Sequence, residues 1–220
     1  MNAYTRYNNE ELFDMMQRLV PVEVTKGEDF NHWEQATDYI QWVLEQQDDI
    51  AVNIDLDCFI FDWSAVDDIA AYMVANGYTH CGFPDSGAMR GRNNASWVVC
   101  NPFFNIFRSA ELLKGGVPNW ALVRHEGYRS EWHLDMPPFV KNPNPWMQEP
   151  FNGVFNWMHR KGKTLFLEPK QHADGTSTIM TWQGKEFGFH AWYSRQFNED
   201  AMQRQRILSL YEESCRRQQS

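Results

Sequence analysis

Asp55 and Asp57 are separated by a single leucine inside an otherwise apolar run, Ile50-Ala51-Val52-Asn53-Ile54-Asp55-Leu56-Asp57-Cys58-Phe59-Ile60-Phe61. In an extended strand, residues i and i+2 point to the same face. The pattern therefore predicts two carboxylates directed at one ligand from a strand end. Two negative charges among apolar neighbours are costly unless a cation compensates them. A divalent metal is the simplest such cation. The plainer alternative is a turn-capping aspartate beside a solvated one.

The flanking elements would place this pair at a sheet edge. Residues 8–19 read as a short helix, N-capped by Asn9, with Leu12, Phe13, Met16 and Leu19 on its apolar face. Val20 to Val24 alternates as a strand does, and Thr25-Lys26-Gly27 reads as the loop at its end. In α/β proteins such loops lie at the carboxyl edge of the sheet, where nucleotides bind. That makes Thr25 and Lys26 candidate nucleotide contacts. Residues 30–47 carry the clearest helical period, with Trp33, Ala36, Ile40, Val43 and Leu44 in one stripe. After the strand bearing the two aspartates, Ser64 is the expected N-cap of a helix from Ala65 to Ala75, closed by Asn76-Gly77. Tyr78 to Phe83 reads as a strand. Residues 20–83 thus alternate strand, helix, strand, helix, strand, the pattern of an α/β sheet.

Regularity then falls. Pro84-Asp85-Ser86-Gly87 is a loop, and Arg90, Arg92, Asn93 and Asn94 make a polar, partly basic one. Asn101 to Phe107 runs into a helix that reaches Leu113 and stops at Gly115-Gly116. Residues 116–148 are rich in Pro, Asn and Trp, and a long irregular stretch in a compact domain is usually functional or mobile. Glu149-Pro150 opens a helix from Phe151 to Arg160, because proline suits a first turn and an acid suits a helix N-terminus. Strands over Thr164–Leu167, Thr176–Trp182 and Phe187–Phe189 follow, with Asp174-Gly175 as a turn and Gln183-Gly184-Lys185 as a hairpin turn. Residues 199–218 form a polar helix with a narrow stripe of Met202, Ile207, Leu210 and Tyr211, and its Arg-rich end reads as a solvated face.

At 220 residues the chain can bury a sizeable core in one domain. Ten tryptophans are unusual for this length; flat indole faces suit sugars and bases, while a Trp-rich core accounts for most of the ten. A net charge of −9 argues against a general binder of phosphate backbones. The cysteines at 58, 81, 100 and 215 lack zinc-site spacing and read as reduced thiols of a cytoplasmic protein without a signal peptide. No apolar run approaches the roughly 18 residues of a membrane span.

Three segments together resemble nucleotide-sugar-dependent glycosyltransferases of the GT-A fold. They are Asn53-Ile54-Asp55-Leu56-Asp57-Cys58-Phe59, Asn101-Pro102-Phe103-Phe104-Asn105-Ile106-Phe107 and His190-Ala191-Trp192-Tyr193-Ser194-Arg195. The order also matches: a D-x-D after about one βαβ unit, an acceptor-side region, then a late histidine. The resemblance spans roughly residues 20–198. It implies a single α/β domain with a central mixed sheet, a Rossmann-like nucleotide-binding half over 20–83, an acceptor-side part over 84–198 and a C-terminal helix over 199–220. It departs from the family in the short segment before the D-x-D and in residues 84–148, which carry no transferable pattern.

On this chain the resemblance implies that Asp55, Asp57 and His190 ligate Mn²⁺ or Mg²⁺. Hard oxygen ligands plus one imidazole suit Mn²⁺. The metal would bridge the diphosphate of the donor, a UDP-sugar by preference, and offset charge on the leaving phosphate. Arg195 would clamp the same phosphates. Asp85, Arg90, Arg92, Asn101 and Asn105 are the implied substrate contacts. An inverting reaction needs a carboxylate to deprotonate the acceptor hydroxyl. Glu149 is the first choice, ahead of Asp135 and Glu126. In a retaining reaction Glu149 would only bind acceptor. The acceptor itself stays open among glycans, small molecules and a hydroxylated base in DNA, for which Arg90, Arg92, Arg124 and Arg129 are the available cations.

Two other readings compete. Asp55-Leu56-Asp57-Cys58-Phe59-Ile60-Phe61-Asp62 looks like the D-x-D-x-T-x-x-D signature of haloacid-dehalogenase-type phosphohydrolases, with Asp55 as nucleophile and Asp57 as acid/base. Phe59 stands where that family has a small or β-branched residue, and the motif lies far from the start of the chain. A non-catalytic sugar- or nucleotide-binding protein is the third possibility. It would not need the aspartates and His190 to converge.

Overall fold

Strand formation starts at the N-terminus, ahead of the first strand expected from the sequence. A computed structural model describes residues 1–85, 88, 99–127 and 149–219. In it, β1 (Asn2–Arg6) pairs in parallel with β2 (Val24–Gly27) on one side and β3 (Ala51–Ile54) on the other. Beyond β3 the sheet continues through β6 (Cys100–Phe107), β5 (His80–Pro84) and β7 (Thr164–Phe166), giving the order β2-β1-β3-β6-β5-β7. Only β6 runs against the others. The fold is therefore α/β with a six-stranded mixed sheet. Among the described residues, no helix is long and apolar enough to cross a membrane.

Three local expectations are corrected. Residues 20–23 are not a strand, because the Gln17 side chain bonds the Val22 carbonyl at 2.8 Å and the Val24 N–H at 2.9 Å, satisfying backbone that a strand would have paired. The strand is Val24–Gly27 instead, which absorbs the loop expected at Thr25-Lys26-Gly27. Asn101 to Phe107 belongs to a long strand, buried throughout and covered on both faces, and not to a helix lead-in. The short helix α4 (Ser109–Leu112) follows it. The third correction bears on the aspartates. β3 ends at Ile54, and Asp55 to Cys58 form a turn closed by the Cys58 N–H on the Asp55 carbonyl at 3.0 Å.

That turn crosses into a second sheet. β4 (Cys58–Ile60) pairs with β10 (Lys185–His190), which pairs with β9 (Thr178–Trp182) and then β8 (Pro169–Gln171). Gln183 and Gly184, with φ of 49° and 82°, form the two-residue hairpin turn between β9 and β10, where left-handed backbone matches the strand twist.

Helices cover the six-stranded sheet on both faces. On one face lie α1 (Glu10–Leu19), α3 (Trp63–Asn76), the small sheet and α7 (Ala201–Gln218). On the other lie α2 (Ala36–Glu45), α4, α5 (Trp120–Val123) and α6 (Asn152–Lys161). Asn9 caps α1 through the Leu12 N–H at 3.0 Å, as its sequence predicts. The cap of α3 is Asp62, two residues before the expected Ser64; its carboxylate accepts from the Ser64 N–H at 3.1 Å. α6 packs so closely on α5 that a Cβ on Gly153 would lie 2.5 Å from the carbonyls of Val123 and Arg124.

A polar relay runs through the sheet. Tyr39 donates to Asn53 at 2.7 Å, Asn53 donates to Asn105 at 3.4 Å, and Asn105 meets His80 Nε2 at 3.5 Å. Thr164 lies 3.5 Å from His80 Nδ1. His80 is stacked between Phe107 and Phe155, and burial pushes its pKa well below the usual histidine value, with His159 adding to the effect. A buried neutral histidine binds fewer protons than the unfolded chain in acid. Its contribution is complete above the ordinary value of about 6.5 and shrinks as pH falls, by up to about 1.4 kcal/mol per pH unit. Urea unfolding at pH 7.5 and 5.5 should show a larger loss in the wild type than in His80→Phe, which keeps the stacking and cannot titrate. Equal losses would mean that His80 charges in place.

Candidate metal centre

The sheet order places the two aspartates at a particular edge. The connection leaving β1 leads to β2, while the chain leaving β3 proceeds to the opposite half of the sheet. The carboxyl ends of β1 and β3 therefore diverge, and such a switch point opens a crevice where α/β proteins bind ligands. Arg6 closes β1 and Asp55 follows β3; their charged groups lie 3.9 Å apart across it. β6 runs the other way, so its starting residues Asn101 and Pro102 reach the same edge. The resulting cleft has an empty volume of about 1070 Å³ counted out to open solvent.

The small sheet supplies the imidazole. His190 ends β10 opposite Cys58, so register alone brings it beside the aspartate turn. Its Nε2 lies 3.4 Å from Asp57 Oδ1, and one ligand atom each from Asp55, Asp57 and His190 fall within 4.8 Å of one another. Asp57 is 1% exposed and His190 3%, whereas Asp55 is half-buried. Phe103 stacks on the imidazole at 4.1 Å and Trp192 packs on it at 4.3 Å between ring centres.

Charge is unevenly held. Burial pushes Asp55 above the usual carboxylate range, opposed by Arg6 and reinforced by the nearby Asp57. Burial is the largest influence on Asp57 and raises it, but the His190 imidazole, a backbone hydrogen bond and Arg206 together leave this carboxyl below its ordinary value. Among the described residues, both Asp57 oxygens and His190 Nδ1 are buried without a hydrogen-bond partner. Buried polar groups left unpaired are rare and need an explanation. A divalent cation provides one: two buried carboxylate oxygens and an imidazole form a mixed oxygen–nitrogen donor set of the kind that suits first-row metals. The residues present fit such an ion.

Ala191 to Arg195 wrap the cleft mouth. The Ala191 N–H donates to the Asp57 carbonyl at 2.9 Å. Trp192 and Tyr193 both have φ of 61°, a left-handed conformation that costs non-glycine residues roughly 1–3 kcal/mol each. Two in succession, directly after His190, are retained only where the surroundings impose them. One restraint is the Trp192 indole N–H on Thr178 at 3.0 Å.

Asp55, Asp57, His190, Arg195, Glu149 and Asn101 all line this one cleft. The other expected site residues do not. Thr25 and Lys26 lie in β2, where Lys26 pairs with Glu10 at 3.3 Å and packs over the Tyr7 and Phe13 rings. Asn105 is consumed by the buried relay to His80. Asp85 is buried behind Asn101, whose amide donates to it at 2.7 Å. Glu126 pairs with Arg160 at 2.9 Å, and Arg124 pairs with Asp38. Asp135, Arg90, Arg92 and Arg129 lie outside the described residues. Sequence reasoning missed Arg6, Asn8 and Asn31, which also line the cleft. The β-prone Tyr4-Thr5 pair ahead of Arg6 was the available signal for Arg6.

Compared with known proteins, the chain matches no family model, no curated protein and no solved structure.

Proposed function

We propose that this protein is a metal-dependent glycosyltransferase of GT-A type, transferring a sugar from a nucleotide-diphosphate donor, by preference a UDP-sugar, to a hydroxyl acceptor. The observation that carries the reading is the convergence of Asp55, Asp57 and His190 at a switch-point crevice between Arg6 and Arg195. Among the described residues, the cleft lining holds two arginines against three carboxylates, counting Glu149, a balance that would repel a diphosphate. Mn²⁺ or Mg²⁺, held by Asp55, Asp57 and His190, would reverse that balance and offset charge on the leaving phosphate. Arg195, exposed on the rim, would take the terminal phosphate oxygens as a fork. Phe103 and Trp192 shield the buried side of the imidazole from water. Glu149 would accept the acceptor's proton in an inverting reaction. The four free thiols suit a cytoplasmic enzyme.

Calorimetric titration with UDP and GDP, each with and without Mn²⁺, tests the reading and names the base. Micromolar binding of one nucleotide that needs Mn²⁺ is the expected result. Absence of nucleotide binding, together with Mg²⁺-dependent phosphatase activity that requires Asp55, would replace the transferase with the phosphohydrolase. Absence of both would leave a sugar-binding protein as the better account.

A further inference from the structure

The carbonyls that follow His190 are held from behind the site by a residue on another element. Arg206, on α7, donates from Nη1 to the Ala191 carbonyl at 2.5 Å and to Ser177 Oγ at 2.7 Å, and from Nη2 to the Trp192 carbonyl at 2.9 Å. Successive carbonyls of an extended chain point in opposite directions. Here the left-handed turn at Trp192 brings two of them onto one planar guanidinium, a geometry that a lysine ammonium cannot reproduce. The guanidinium is itself set in place: Ser177 Oγ donates to Asp174 at 2.7 Å, and that carboxylate lies 3.6 Å from Nη1. Its side chain is 14% exposed, so the fork is largely desolvated.

We propose that Arg206 is a positioning residue for the metal centre: by gripping the Ala191 and Trp192 carbonyls it fixes the His190 ring against Asp57 and stabilises the strained turn over the cleft. This rests on the reading of Asp55, Asp57 and His190 as a metal site. Ala191 is the pivot. Its N–H is bonded to the Asp57 carbonyl and its carbonyl to Arg206, so one residue couples the aspartate turn, the histidine strand and α7. Without the fork, the Ala191 carbonyl keeps only a 3.4 Å contact from Ser177 Oγ, and the turn that packs Trp192 on the imidazole loosens, which lets the ring shift relative to Asp57.

Mn²⁺ affinity, read by electron paramagnetic resonance of the free ion, tests this on the full chain. Outer residues that orient a metal ligand are worth about 10–100-fold in affinity, and Arg206→Ala should lose that much. Arg206→Lys, which keeps the charge and one donor, should lose less and serves if the alanine variant does not fold. Arg217→Ala is the matched control. Arg217 sits on the same helix, pairs with Glu186 at 2.5 Å and Glu213 at 2.8 Å, and lies over the Phe61 and Phe189 rings. It should bind Mn²⁺ within twofold of the wild type. Arg206 also borders a surface groove of about 800 Å³, so added methylguanidinium should restore part of the affinity of Arg206→Ala, a rescue that a general loss of stability would not show. Unchanged affinity in both Arg206 variants, or an equal loss in Arg217→Ala, would overturn the assignment. No Mn²⁺ binding by the wild type would remove the metal reading itself, and the positioning role with it.

Discussion

Asp57→Asn should lose at least about 100-fold in Mn²⁺ affinity, about 2.8 kcal/mol, and metal-dependent nucleotide binding should vanish with it. The substitution preserves shape and removes one charge. Asp57 is the deepest of the three groups, and its Oδ1 faces His190 Nε2 at 3.4 Å, itself one of the proposed ligands, so little else offsets what a cation loses when the charge goes. Asp55 cannot substitute for it, because Asp55 is less buried and already faces Arg6 at 3.9 Å. The check is calorimetry with Mn²⁺ alone and then with UDP at saturating Mn²⁺, on samples whose unfolding midpoints show that both forms are native. If Asp57→Asn bound nucleotide like the wild type, the phosphates would be held by Arg6 and Arg195 without a metal, and the proposed function would lose its main support.

The second large effect is expected at Glu149. Among the described residues lining the cleft it is the one carboxylate outside the metal group. It precedes α6, three residues before that helix begins, and its carbonyl anchors the Asn152 N–H at 3.0 Å. Removing a general base typically costs 10²–10⁴ in rate. Glu149→Gln should therefore lower kcat for transfer by about that factor, while nucleotide affinity stays within threefold of the wild type. Donor hydrolysis and transfer, followed with the nucleotide identified by the titrations, separate the two parameters. A normal kcat with a raised KM for acceptor would make Glu149 a binding residue, as a retaining mechanism requires.

Much of this was legible in the chain because it depends on near neighbours. Asn9 capping α1, the stripe of α2, the Gly77 stop of α3 at φ 70° and the hairpin at Gln183-Gly184 are each set by a few adjacent side chains and by the φ those residues tolerate. The aspartate pair was visible by the same logic, as two charges where the flanks are apolar. The β1 strand was not, since five residues with one exposed end carry too short a period to separate from a tail. β6 was not either, because a strand buried on both faces shows no alternation.

What only the tertiary structure decided is the meeting of distant groups. Asp55 and Asp57 are brought together by a turn between two sheets and not by strand alternation. His190 reaches them because β10 pairs with β4 in one register, and a slip by one residue would point it to the other face. Arg6 arrives through the crossing at β1, and Arg206 through the docking of α7. Types and spacing along the chain set two carboxylates among apolar neighbours, for which a cation is the simplest compensation. Strand register and the packing of separate elements determined which imidazole and which arginines surround them, because those contacts join residues on different elements, 133 positions apart for Asp57 and His190 and 49 for Arg6 and Asp55, whose mutual position no local pattern encodes.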